Sequence, residues 1–221
     1  MFDAAVSVVA GLALGLSLAA PPGPMNAVIA EEAVTRGWRA GFSAGLGAMT
    51  ADACFFVLAL VGVVAFIQDA PTVERVMVGV GGVLMLYYAY GAFRDAGSFS
   101  NAEPSEGRGF RKAFVLALTN PYQVTWWLTA GVGLLDPSEI SAFGLQLSAA
   151  NGALTIAGFF AGILLWVAGF PASLRAAGDR VDAFGTVVAY VSAGVLALFG
   201  VLFLKRATGL ELLAHSRHFG F

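Results

Sequence analysis

The sequence predicts an all-α membrane protein: six transmembrane helices arranged as two inverted three-helix repeats, with the first and fourth helices broken. Three observations carry this. First, 58% of the 221 residues are hydrophobic and 12% are charged, with a mean hydropathy of +0.80, whereas a soluble domain is roughly 25% charged. Second, uncharged runs cover 4–30, 76–93, 113–135, 140–174 and 183–204, and the stretch 40–68 holds a single charge, Asp52. A span needs about 20 apolar residues, so these runs make six. Third, helix-breaking motifs interrupt the apolar runs at matching places in the two halves: Ala20-Pro21-Pro22-Gly23-Pro24-Met25-Asn26 and Thr119-Asn120-Pro121-Tyr122-Gln123.

The first run lacks a basic leading segment and continues into the proline motif, unlike a removable signal peptide. If Gly23 and Asn120 are N-caps, Pro24 and Pro121 each take the first helical position, which proline favours. Asn26 and Gln123 then share the third position, so each half-helix is expected to open with a side-chain amide beside unpaired backbone N–H groups. The first motif alone also reads as a kink, or as a loop between a short helix and an interfacial one, and Asn120-Pro121 alone reads as a kink. The pairing favours two breaks, the sequence sign of a transporter site.

Span two contains Gly41 and Gly45, and span five Gly158 and Gly162; this small-xxx-small spacing predicts close helix approach. Tyr87, Tyr88 and Tyr90 precede Arg94 at the end of span three and read as an interfacial anchor. The run 140–174 is too long for one span and too short for two, so a span near 145–170 is expected, ended by Pro171 and preceded by an interfacial approach. The polar stretch Arg94 to Lys112 has loop composition. It divides one transmembrane domain into a first repeat (1–93), a linker (94–112), a second repeat (113–204) and a polar tail (205–221). Asp52 lies 28 residues after Pro24 and Asn151 lies 30 after Pro121, which places both about a dozen residues into the middle span of their half.

Loops after spans one, three and five carry eight Lys or Arg residues, against four on the other side. The positive-inside rule puts those loops, 94–112 among them, in the cytoplasm and both termini outside. Lys205-Arg206 is the misfit.

Asp52 is the sole ionisable group that the sequence places deep in a span, and no Lys, Arg or His lies within any span to pair with it. A carboxylate at that depth costs at least about 2.5–3.5 kcal/mol on insertion scales. It is expected to face a wet cavity and serve a proton, a cation or a substrate ammonium; a neutral acid bonded to backbone is the bland alternative. Two half-helix N-termini offer the complementary partial positive charge, so the cavity has the polarity of a zwitterion. Trp126 follows the second break and reads equally as a cavity wall or a packing residue. His215 and His218 lie in the polar tail.

Pro-Gly-Pro followed by Asn26, then Gly37-Trp38-Arg39-Ala40-Gly41, then a Gly-rich run ending in Asp52, resembles the LysE/RhtB family of amino-acid exporters. Leu118-Thr119-Asn120-Pro121 is similar to that family's second signature. The resemblance covers nearly the whole chain. Ala51 replaces the usual Gly before the acid, and Tyr122-Gln123 replaces the small or basic residue often found after Asn-Pro. The resemblance implies a six-span secondary exporter in a prokaryotic plasma membrane, moving amino acids or related small zwitterions by proton or membrane potential. Gly23, Pro24, Asn26, Asp52, Asn120, Pro121, Gln123 and Trp126 would form the substrate site, with Asp52 also coupling the ion.

Other classes fit less well. A divalent-cation exporter of a related family would want more intramembrane ligands than Asp52. A thiol–disulfide electron carrier needs two cysteines, and the chain has Cys54 alone. A non-transporting assembly or sensor protein is the remaining rival. No metal, phosphate or dinucleotide motif calls for a cofactor, and no basic patch suits nucleic acid. The expected partners are a small-molecule substrate and the lipid bilayer; a homo-oligomer is left open.

Overall fold

The computed structural model describes residues 2–61, 71–95, 107–128, 140–142, 145–147, 152–178 and 183–208. Among these, eight helices follow in order: α1 (Phe2–Ala19), α2 (Pro24–Arg36), α3 (Trp38–Leu60), α4 (Pro71–Asp95), α5 (Arg108–Leu118), α6 (Pro121–Leu128), α7 (Gly152–Gly178) and α8 (Phe184–Thr208). Four of them, α3, α4, α7 and α8, are long and apolar enough to cross a membrane. α1 and α2 pass the same test as a pair bent by 82°, which makes a fifth span if the pair is one broken crossing. The fourth long apolar run is split into α5 and α6 at Thr119-Asn120.

Glycines bring these helices to backbone contact. A Cβ at Gly11 or Gly15 of α1 would strike the carbonyls of Thr155 or Phe159, and one at Gly158 of α7 would strike the carbonyl of Val8. α1 and α7 therefore run parallel, each offering glycines to the other's carbonyls, the geometry of Cα–H···O contacts. On α3, Gly41 meets Pro171 and Gly45 meets Val167, so α3 and α7 cross antiparallel. α4 and α8 are antiparallel too: a Cβ on Gly82 would lie 3.0 Å from the Gly200 carbonyl, and one on Gly200 would lie 3.1 Å from that of Gly82. Both predicted Gly-x-x-x-Gly pairs are thus helix contacts, and Gly11-x-x-x-Gly15 is a third.

Span five departs from expectation. Ile140–Ala142 and Leu145–Leu147 form a short antiparallel strand pair, and α7 begins only at Gly152. Apolarity encodes burial rather than backbone conformation, so the run 140–174 hid this boundary. Asn151, expected a dozen residues into this span, lies outside the described residues. Pro171 does not end the helix, which continues to Gly178. Proline removes the bond to the carbonyl four residues earlier, that of Val167; the Trp38 indole N–H donates to the next carbonyl, Ala168 O, at 2.9 Å. Gly41 leaves room for the proline ring, so packing carries the helix through.

Gly37 joins α2 to α3 with φ +89°, a region L-residues avoid. A Cβ there would lie 3.4 Å from the Arg175 guanidinium. Arg36, Arg94 and Arg108 line one cavity. The basic segments after predicted spans one, three and five therefore gather at one end of the bundle. His215, His218 and most of the linker and tail lie outside the described residues.

Candidate functional site

Local chemistry makes both breaks. At the first, α1 stops at Ala19, Gly23 is the N-cap of α2, and Pro24 takes its first position. Gly23 is extended (φ −176°, ψ −174°), a conformation open to any residue, and an added Cβ would meet nothing within 4 Å. Asn26 then staples the break. Its amide N–H₂ donates to Ala19 O and Pro21 O, each at 2.8 Å. Its Oδ1 accepts from the Trp166 indole of α7 at 3.0 Å. The last carbonyl of α1 and one within the break are thereby satisfied inside the fold.

Asn26→Ala removes these bonds together. Each buried group left unpaired costs about 1–3 kcal/mol, so the variant is expected to unfold at markedly lower temperature in detergent than the parent, and Asn26→Asp, which sets a carboxyl oxygen against the Ala19 and Pro21 carbonyls, is expected to lose at least as much.

At the second break Asn120 is the cap, as its spacing predicted. Its Oδ1 accepts from the Tyr122 N–H at 3.0 Å, and its carbonyl accepts from the Gln123 N–H at 3.1 Å. This corrects the expectation of two open half-helix ends. The first N–H groups of α6 are consumed by Asn120, whereas α2 has no side-chain cap. The open donors belong to α2, at Met25 and Asn26.

Asp52, on α3, is buried at 4% exposure. Its Oδ1 accepts from the Gln123 amide and from the Trp127 indole N–H at 3.1 Å. Both donors come from α6, so the second broken segment holds the acid of the first half by two neutral hydrogen bonds. No ion pair among the described residues includes Asp52.

These groups surround a cavity of about 410 Å³, within the usual range for small-ligand sites. Gly23, Pro24, Asn26, Asp52, Asn120, Gln123 and Trp126 all line it. Of Pro121, only the backbone at the start of α6 is described. Ile29, Ile163, Val167 and Phe199 supply apolar walls. Trp126 stacks on Phe159 with ring centroids 5.4 Å apart, which makes it a cavity wall and a packing residue at once.

Sequence reading missed five residues. Trp127 was passed over for its neighbour Trp126, although only one of two adjacent helical residues can face Asp52. Trp166 gave no signal short of the fold. Glu31 and Glu32 carry no sequence-level signal and Lys112 reads as the end of the linker, yet they are 5%, 2% and 5% exposed. Asp52 is therefore not the sole buried ionisable group. Glu31 pairs with Lys112, and Glu32 pairs with Arg36 at 2.7 Å. Tyr88, expected to anchor at the interface, instead covers Lys112 with its ring, 5.0 Å from Nζ. Tyr87 and Tyr90 remain outward at 66% and 67% exposure.

Residues 16–207 match the profile of the family described as LysE type translocator. The chain belongs to that family. Among curated relatives, the Bacillus subtilis (strain 168) protein YcgF, provisionally named an amino acid efflux protein, is 28% identical over 160 residues, covering 70% of this chain and 74% of the relative. The leucine efflux protein of Salmonella choleraesuis (strain SC-B67) is 27% identical over 121 residues, covering 52% of this chain and 57% of the relative. The leucine efflux protein of Salmonella typhi matches to the same extent. The chain thus spans little more than half the length of the leucine efflux proteins it matches. No solved structure matches this LysE-type chain.

Proposed function

We propose that this chain is a secondary exporter of amino acids or related small zwitterions in a prokaryotic plasma membrane, driven by the proton or membrane potential. The supporting observation is the cavity at the first break, with uncapped N–H donors of α2 at one side and the Asp52 carboxylate at the other. A substrate carboxylate suits the positive end of α2. A substrate ammonium or a proton suits Asp52. The two sites need each other, because a zwitterion presents both charges. Family membership and relatives named for amino acid efflux point to the same substrate class.

Six spans in two inverted repeats complete the reading, with α1–α2 and α5–α6 as the broken first and fourth crossings. Inverted repeats require spans two and five, and likewise three and six, to run antiparallel. The glycine contacts of α3 with α7 and of α4 with α8 have that sense. Exchanging the halves also turns the α1–α7 packing into α5–α3 packing, and α3 and α5 do pack. The basic loops gathered at one end are assigned to the cytoplasm. Rocking of one half against the other would expose the cavity alternately.

The test is efflux from proteoliposomes loaded with a mixture of amino acids, with and without an imposed pH gradient. Selective loss of one or a few species, faster with the gradient, is expected. Equal retention of every amino acid with and without the protein sinks the proposal.

A further inference from the structure

A second cavity, of about 300 Å³, lies at the basic end of the bundle between α2, α4 and α5. Its polar lining comes from Glu31, Glu32, Arg36, Arg94, Arg108 and Lys112. The two cavities lie against different faces of one helix: Ile29 of α2 lines the central space, and Glu31, two residues on, stands about 3 Å further along the axis and about 200° around it.

The Glu31–Lys112 pair is unusual for its place. It joins α2 of the first half to α5 of the second, across 81 residues of sequence. Both side chains are 6% exposed. A buried ion pair recovers little net stability, because desolvating two charges offsets their attraction. Such a pair can exchange partners at small net cost, provided each charge meets an equivalent one. An amino-acid zwitterion carries those equivalents, an ammonium for Glu31 and a carboxylate for Lys112. Tyr88 shields Lys112 from one side, and Gly109 leaves space for the Glu32 carboxyl, 3.1 Å from where a Cβ would lie. The Glu32–Arg36 pair lines the same cavity.

We infer that this cavity is a second amino-acid binding site, an entry station in which Glu31 takes the substrate ammonium and Lys112 its carboxylate before the molecule passes to the central cavity. This rests on the amino-acid exporter reading for its ligand class. The site is distinct from the one at Asp52, shares no lining residue with it, and engages both halves of the chain.

The direct test uses Gly91→Cys in a Cys54→Ser background. Gly91 lines the second cavity, and a Cβ there meets nothing within 4 Å. An equimolar mixture of neutral amino acids is expected to slow labelling of this cysteine by a membrane-impermeant thiol reagent. Protection is expected to vanish in Glu31→Gln/Lys112→Gln, whose amides keep the packing and lose both charges, and to persist in Asp52→Asn. A companion measurement is efflux. The double amide variant should raise the half-saturating amino-acid concentration about tenfold (about 1.4 kcal/mol) with maximal rate little changed, the signature of lost uniform binding. The swap Glu31→Lys/Lys112→Glu should recover much of that loss. Labelling indifferent to amino acids, or protection unchanged in the double variant, overturns the second site. Absence of efflux by the parent protein would instead strike the exporter reading, and the labelling measurement would still decide the site.

Discussion

Asp52→Asn is expected to abolish gradient-driven export while the protein still inserts and folds. The reason lies in which atom the neighbours use. Gln123 and Trp127 both donate to Oδ1, and an asparagine carbonyl oxygen in the same position accepts both. What disappears is the capacity to bind a proton or to carry a charge towards the cavity. A loss on the order of a hundredfold or more is expected when a positioned proton-carrying group is removed. Asp52→Ala behaves differently, because it strands the Gln123 amide and the Trp127 indole N–H in a buried site, at about 1–3 kcal/mol each. Paired measurements of proteoliposome efflux and thermal unfolding separate the two. Full gradient-driven export by Asp52→Asn removes the assigned role.

The largest effect on folding is expected at Gly158. A Cβ there meets the Val8 carbonyl, so Gly158→Val forces backbone from backbone along the α1–α7 seam. Overpacking costs typically 1–3 kcal/mol, and a rigid carbonyl partner puts this case at about 3 kcal/mol or more. For a chain of this length that corresponds to about 6–12 °C in Tm. Gly194→Val on α8 is the control, since nothing lies within 4 Å of its added Cβ; a change within about 0.5 kcal/mol is expected there. Equal unfolding temperatures for the two variants would show that the seam tolerates separation.

What was legible in the sequence was local. Pro24 and Asn120-Pro121 announce helix starts because cap and proline preferences act within one turn. Asp52 stands out because a lone acid in an apolar run has few tolerable environments. The glycine spacings announce contact, though not with whom. The Glu31–Lys112 pair was not legible, since its members are 81 residues apart and each looks like an ordinary flank of a span. The asymmetry of the breaks was hidden as well: Gly23 and Asn120 both qualify as caps, but only asparagine has a side chain to accept from an N–H donor behind it, that of Tyr122. The strand pair and late start of α7 escaped because Ile, Leu and Ala suit buried helix and strand alike.

The parallel seam between α1 and α7 also bears on how the chain is made. Gly15 and Gly162 are separated by 147 residues, so at about 5–20 residues per second of synthesis the first helix waits about 7–30 s for its mate. During that interval its glycine face meets lipid or the insertion machinery. Neighbouring α2 and α3 can settle against each other meanwhile, but the groove that α1 will share does not exist until the ribosome has passed Gly178. Assembly therefore closes from the far end: the last third of the polypeptide secures the first helix, and a nascent chain interrupted before α7 exposes an unmatched glycine ridge to membrane quality control.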